Sequence, residues 1–259
     1  MFTQRVSQNP FGYWVVWLGI TLLIGMAQAE AEEFTQAMVG DIGLGGYYTR
    51  SIIRGKSDAL SVLPYADFNY GRMFARVDTF GIKTLQLGYG HLELTGRFTQ
   101  DGFSTNTPGL LGLGKRDTSL PLGIGTLQVT PIGGFYINAF HDVRQSKGDW
   151  FEVVYGGELD LPRVTFYPLV GAEYQSREYV RYYYGISAQE AASSQYAAYQ
   201  PAGAYNGLIG LIADIELTGD YHLNGYVRRK WLGDAIQFSP IVSQRYLDTG
   251  YLTLSYRFK

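Results

Sequence analysis

From residue 38 onward apolar and polar side chains alternate in run after run, and a period of two residues belongs to strands rather than helices. In HLELTGRF (91–98), Leu92, Leu94 and Phe98 share one side, while His91, Glu93, Thr95 and Arg97 share the other. FEVVYGGEL sets Phe151, Val153, Tyr155 and Leu159 against Glu152 and Glu158. LIGLIADIEL sets Ile209, Leu211, Ala213, Ile215 and Leu217 against Asp214 and Glu216, and HLNGYVRRKW sets Leu223, Val227 and Trp231 against His222, Asn224, Arg228 and Lys230. The closing YLTLSYRFK sets Leu252, Leu254, Tyr256 and Phe258 against Thr253, Ser255 and Arg257. The pattern predicts twelve strands, at 38–49, 58–69, 71–78, 80–87, 90–99, 118–130, 133–143, 150–160, 164–175, 206–217, 221–232 and 248–258, with ten as the alternative count.

The connections alternate in length. Tight links follow the even-numbered strands: Asn69-Tyr70, Gly88-Tyr89, Pro131-Ile132, Leu161-Pro162-Arg163 and Thr218-Gly219-Asp220. Long loops follow most odd-numbered ones, the largest at 100–117, 176–205 and 233–247; only the link near Thr79 departs from the rule. Short turns at one end and long loops at the other are the habit of outer-membrane barrels.

A soluble up-and-down barrel could share that layout, but its apolar residues would point inward. Here the polar side carries ionised groups in mid-strand, and placing them in a small apolar interior would cost several kcal/mol each. With the apolar side toward lipid, the same groups fall in a polar lumen where opposite signs can pair. The fold class expected is therefore all-β, a transmembrane antiparallel up-and-down β-barrel whose last strand closes against the first. Tyr48, Tyr174 and Trp231, near loop-side strand ends, fit an aromatic girdle.

Composition agrees. The chain of 259 residues has 33 Gly and 22 Tyr, only 17% charged residues and no Cys, which suits strands and turns and excludes disulfides and thiolate metal sites. Ahead of the strands, Tyr13 to Met26 is an uncharged apolar run behind Arg5, ending in Ala27-Gln28-Ala29. It is too short to span a bilayer and reads as a secretory signal peptide, 1–29, cut after Ala29. The domain plan is then a leader followed by one barrel over 30–259. Removing the leader takes Arg5 from the 21 basic residues and none of the 23 acidic ones, leaving 20 − 23 = −3, a balance that gives no reason to expect nucleic acid.

RDTSLPLG (116–123), YPLVGAEY (167–174), YYYGISAQEA (182–191), FSPIV (238–242) and the closing GYLTLSYRF together resemble the MipA/OmpV family of Gram-negative outer-membrane proteins, in order along the mature chain. The resemblance implies a cell outer membrane location and a scaffolding role. The family's namesake is a partner of a lytic murein transglycosylase and a bifunctional penicillin-binding protein, and other members are described as porin-like or adhesive. A narrow porin-like channel and a surface adhesin are accordingly the alternative functions, and outer-membrane lipid the constant partner. One departure is that Lys259 follows the terminal aromatic Phe258.

No enzyme activity is expected. Outer-membrane acyl hydrolases share a His-x-Ser arrangement on one strand face, and none of His91, His141 and His222 has Ser two residues later. His141 and Asp142 fall on opposite faces. No metal-spaced cluster or phosphate loop appears, so no catalytic residue, metal or cofactor is assigned. Glu93, Arg97, Glu152, Glu158, Asp214, Glu216, Arg228, Lys230 and Arg257 are expected in the lumen, as an ion-paired brace or as a filter. In the 176–205 loop, Arg177, Tyr179, Arg181, Tyr182, Tyr183 and Tyr184 have the composition of a binding surface, or else pack the loop over the lumen as an extension of the preceding strand. Ser187 and Glu190 form a capping-box pattern ahead of a helical turn.

Overall fold

A computed structural model describes Phe34 and residues 36–259; the expected leader and all but the end of the acidic stretch 30–36 lie outside the described residues. Twelve antiparallel strands follow: β1 (Met38–Thr49), β2 (Ala59–Tyr70), β3 (Met73–Arg76), β4 (Thr79–Leu87), β5 (Gly90–Arg97), β6 (Pro121–Thr130), β7 (Gly133–Asp142), β8 in two segments (Asp149–Gly156 and Leu159–Leu161), β9 (Val164–Gln175), β10 (Ala204–Thr218), β11 (Tyr221–Trp231) and β12 (Tyr246–Phe258). Each pairs with the next, and β12 pairs with β1 from Gly40↔Phe258 to Thr49↔Thr249, closing the sheet. Closure removes the free edges at the seam, which hydrocarbon would penalise.

Two strands differ from the expected pattern, each for a local reason. The strand expected at 150–160 is interrupted at Gly157 and Glu158, opposite Tyr167 and Pro168 of β9. Pro168 has no N–H to donate, so the ladder skips there, held only by Gly157 N–H donating to the Pro168 carbonyl at 3.0 Å. The strand expected at 71–78 is only four residues long. It turns back at Val77 and Asp78, with Val77 at φ 58, a left-handed conformation unusual for a β-branched residue. β3 therefore pairs with β2 only over Asp67–Tyr70, although β1 covers the whole length of β2 on its other side.

The faces fall as the alternation predicts. In β12 Leu252 and Leu254 are 58% and 52% exposed, whereas Thr253 and Ser255 are 1% and 2% exposed. A water-soluble barrel would reverse those figures. Leu94, Phe151, Ile209 and Val227 join the outward set, and Glu93, Glu152, Asn206 and Asn224 the buried one. The apolar core lies elsewhere, above the loop end of the barrel. There Ile52, Ile53, Phe103, Leu110, Leu113, Val180, Ile186, Leu232, Ile236, Ile241 and Val242 pack together from four different loops.

Candidate functional site

The lumen is crossed by ion pairs at successive heights, most of them between strands that are not neighbours in sequence. Nearest the turn end, the Arg257 guanidinium donates to both Asp41 oxygens at 2.7 and 2.6 Å and to Asp214 at 2.6 Å. Asp214 also meets His222 Nδ1 at 2.7 Å. Midway, Arg76 of β3 donates in a fork to Glu93 of β5 at 2.8 and 2.6 Å while its guanidinium lies over the Phe74 ring. Toward the loop end, Arg97 donates in the same way to Glu152, which also accepts from Asn138, and Arg97 Nε donates to the Thr79 hydroxyl. Beside it Lys230 donates to Glu173 at 3.0 and 3.2 Å, and Asn206 donates to the same carboxylate. The period-two pattern turns all these groups inward, and their partners are brought opposite by strand register.

Planar forks on buried carboxylates satisfy most of their lone pairs at once. Arg97 also lies against two aromatic rings, its guanidinium 4.8 Å from the Phe140 centroid and 4.9 Å from that of Trp150. Below them a tyrosine cluster, Tyr47, Tyr65, Tyr226 and Tyr251, fills the interior with tilted ring contacts of 5.1–5.6 Å. Paired charges and stacked rings together make a plug of side chains.

Of the lumen residues expected from sequence, Glu93, Arg97, Glu152, Asp214, Lys230 and Arg257 are thus brought into the network. Glu158 is not: it sits exposed in the interruption of β8. Glu216 is also exposed, next to the turn that follows β10. Arg228 points inward but belongs to none of the ion pairs among the described residues, and its Nε is buried without a protein partner.

Above the lumen lies a cap. Helix α1 (Arg177–Tyr184) starts at Ser176, whose side chain caps Tyr179 N–H; α2 (Ala188–Ser193) starts at Ser187, and α3 (Asp234–Gln237) follows Gly233. The segment expected either to bind or to extend a strand is therefore a helix. Tyr179 and Tyr183 point down and are buried, Tyr182 and Tyr184 are half-buried, and Arg177 and Arg181 remain exposed on the outer side. Tyr179 packs on Trp150, donates to Asp101 and lies so close to Gly148 that a Cβ there would sit 2.3 Å from the Tyr179 nitrogen. The Ser187/Glu190 capping box forms. Glu190 accepts further from Gly114 N–H at 2.9 Å and Arg116 at 2.7 Å, tying α2 to the 98–120 loop. Burial alone would raise the Glu190 carboxyl, but the backbone donors of Ser187 and Gly114 and the Arg116 guanidinium hold it down at about 2.

His and Ser meet across strands rather than along one. Asp214 on β10 and His222 on β11 are hydrogen-bonded, and Ser255 on β12 is in register with His222. Its hydroxyl instead accepts from Asn224 at 2.7 Å and is buried, and no hydrogen bond joins it to His222 among the described residues. A nucleophile needs that bond and a route for substrate. His141 likewise turns away from Asp142 and meets Asp149 on the exposed side, while Asp142 caps the turn of residues 144–146.

The family model described as MltA-interacting protein MipA matches residues 42–258, nearly the whole described chain. The chain belongs to the MipA family. It is 24% identical to the protein described as "Putative outer membrane protein YiaT" of Escherichia coli K12 over 237 residues, 90% of this chain and 94% of that one. It is 28% identical to outer membrane protein OmpV of Vibrio cholerae over about half of each, and 28% identical to the MltA-interacting protein of E. coli K12 over 37% of this chain and 38% of that one. Among solved structures, the outer membrane channel DcaP of Acinetobacter baumannii aligns over 85% of this chain at 9% identity with a TM-score of 0.29. This MipA-family chain is a closed twelve-stranded barrel of the Gram-negative outer membrane.

Proposed function

We propose that this barrel is a structural docking protein of the outer membrane, which presents its periplasmic turns to peptidoglycan-remodelling enzymes and conducts little. The observation that carries the reading is the lumen itself: forked ion pairs at successive heights under a packed cap use the interior for bracing. The name of the E. coli relative, MltA-interacting protein, supports a lytic murein transglycosylase as one partner. A bifunctional penicillin-binding protein follows from the same family likeness. In this reading residues 1–29 are the export leader.

A partner in the periplasm meets short turns, and a standard interface needs about 800 Å² per side. Several turns must then act together, and they are joined. Arg163 accepts from Glu216 N–H through its carbonyl at 2.9 Å, Asp220 accepts from Arg257 N–H at 2.7 Å, and Lys259 pairs with the Asp220 side chain at 2.7 Å. The turns at 161–163 and 218–220 and the C-terminus therefore make one continuous patch.

The test is pull-down of a purified lytic transglycosylase by the barrel. Replacing 161–163 and 218–220 together is expected to weaken capture, while substituting Arg177 and Arg181 on the cap leaves it intact. Capture controlled by the cap alone would move the partner outside the cell and replace the scaffold with an adhesin.

A further inference from the structure

The short β3 hairpin has a consequence for the wall. β2 runs the full height of the barrel, but from Ala59 to Ala66 no strand pairs with it on the side away from β1. The turn at Val77 and Asp78 stops part-way up, tied by Val77 N–H to the Ala66 carbonyl and by Phe98 N–H to the Asp78 carbonyl, both at 2.8 Å. Above that sill the next structure across the wall is the segment beyond β5, Phe98 to Phe103, and Lys56 Nζ reaches over to the Gly102 carbonyl at 2.8 Å as a lintel. A cavity of about 260 Å³ occupies this place; its lining runs from Ser57 and Ala59 on one bank to Phe98 and Thr99 on the other, and inward to Trp150 and Arg228.

The rim and the floor of this cavity differ in chemistry. Leu60, Val62 and Phe98, beside the gap, are among the most exposed apolar side chains of the molecule, so the gap opens toward hydrocarbon. Inside, Arg228 and Lys56 add to Arg97, Lys230 and Arg50, which are already paired with Glu152, Glu173 and Asp248, against Asp78 and Asp101. Six buried side-chain polar atoms have no protein partner among the described residues, and three of them, Arg228 Nε, Trp150 Nε1 and Thr249 Oγ1, belong to residues that line this one cavity. Two are N–H donors. Buried donors ordinarily have an acceptor, and here both belong to side chains of one cavity wall.

We infer that the gap above the β3–β4 turn is a lateral window, through which an anionic single-chain amphiphile of the surrounding leaflet enters, its head accepting from Arg228 and Trp150 and its chain lying between Val62 and Phe98. Size and charge choose this occupant. The volume lies just under the ~300–1,000 Å³ range of small-ligand sites, which suits one head and part of one chain rather than a many-chained lipid. Backbone of Ala59–Tyr65 without a strand partner on this side is tolerable within hydrocarbon depth only beside a polar cavity, which the window supplies.

Trp150 reports on the floor directly. In protein purified from outer membranes as Trp231→Phe, Trp150 is the sole tryptophan after residue 29. Titration in non-ionic detergent with a fatty acid brominated at mid-chain is expected to quench it saturably, and the brominated alcohol of equal length to do so about tenfold more weakly. Arg228→Met should weaken the acid about tenfold and leave the alcohol unchanged, the size expected when one charged hydrogen bond is removed. Lengthening the hairpin by two residues on each side of Val77-Asp78 should abolish quenching by both while the barrel keeps its heat-modifiable mobility. Non-saturating quenching that is equal for acid and alcohol would overturn the inference, as would saturable quenching that neither variant alters. Should a variant fail to fold, the acid-to-alcohol ratio in the Trp231→Phe protein decides alone.

Discussion

The barrel and its cap are built from one chain but follow opposite rules. In the wall, leucines face out and glutamates face in: Leu252 and Leu254 meet lipid while Glu93 and Glu152 are buried. In the cap, Leu110, Ile186, Ile236 and Ile241 are fully buried, while Arg177, Glu178, Arg181 and Gln189 are exposed. The difference is one of solvent. Where lipid surrounds the chain, apolar burial gives no gain, so the interior is free to be polar provided every charge finds a partner. Where water surrounds it, the ordinary hydrophobic effect returns and four loops collapse on a shared core. The residues that join the two regions are aromatic: Trp150 of β8 meets Tyr179 of α1 from below. Both can bury an apolar ring and still carry a polar tip.

The contrast is broken most severely by unpairing a charge in the wall. Arg97→Ala removes the forked partner of buried Glu152 and leaves Asn138 as its hydrogen-bond donor, and is expected to cost about 3–5 kcal/mol in urea unfolding from vesicles, because a buried charge that loses its partner is the dominant penalty. Adding Glu152→Gln should recover most of it. Recovery that fails would mean the pair acts through shape rather than charge.

Next comes the apolar core of the cap. Ile241→Ala should cost about 2–5 kcal/mol locally, as large-to-small changes in packed cores do. Hydrogen exchange should then accelerate across 176–203 and 232–245 while the strand amides stay protected. Uniform acceleration of the strands would show that cap and barrel melt as one unit.

A matched pair of exposed leucines sharpens the comparison further. Leu211→Arg, on the outward face of β10, should cost about 2–4 kcal/mol near the bilayer midplane. Leu111→Arg, 71% exposed in the cap, should stay within about 0.5 kcal/mol. Similar costs at both sites would mean that the lipid boundary is misplaced.

The smallest effect is one of pH. Glu190 titrates at about 2 against its ordinary 4.5, so its contribution to the cap is complete above the ordinary value and is lost as pH falls from there toward 2. The protection of Gly114 and Ser187 N–H, corrected for the intrinsic pH dependence of exchange, should fall over that window, and Glu190→Gln should flatten the dependence.

Much of this was legible in the sequence, because the period of two reports strand faces whatever the solvent, and mid-strand charges such as Glu93 and Glu152 then decide which face lies inside. The seam of β12 on β1 and the Ser187/Glu190 cap follow from the same local rules. Three features were not legible. The break in β8 depends on Pro168 lying opposite Gly157 and Glu158, which only register reveals. The link placed near Thr79 is the turn at Val77-Asp78, but the shortness of β3 carries no glycine or proline signal, since the positive φ falls on Val77. Helix α1 was obscured because REYVRYYY is rich in aromatic and β-branched residues, which favour strands; the Ser176 cap and the descent of Tyr179 and Tyr183 onto the barrel mouth override that preference.

The central claim is that the interior is a brace and not a passage, and single-channel recording of the purified protein in planar bilayers tests it most directly. The intact chain is predicted to give no steady conductance, with channel events appearing only when α1 and α2 are removed and Arg97 and Glu152 are both replaced by alanine. Stable, porin-sized steps from the intact protein would contradict the account.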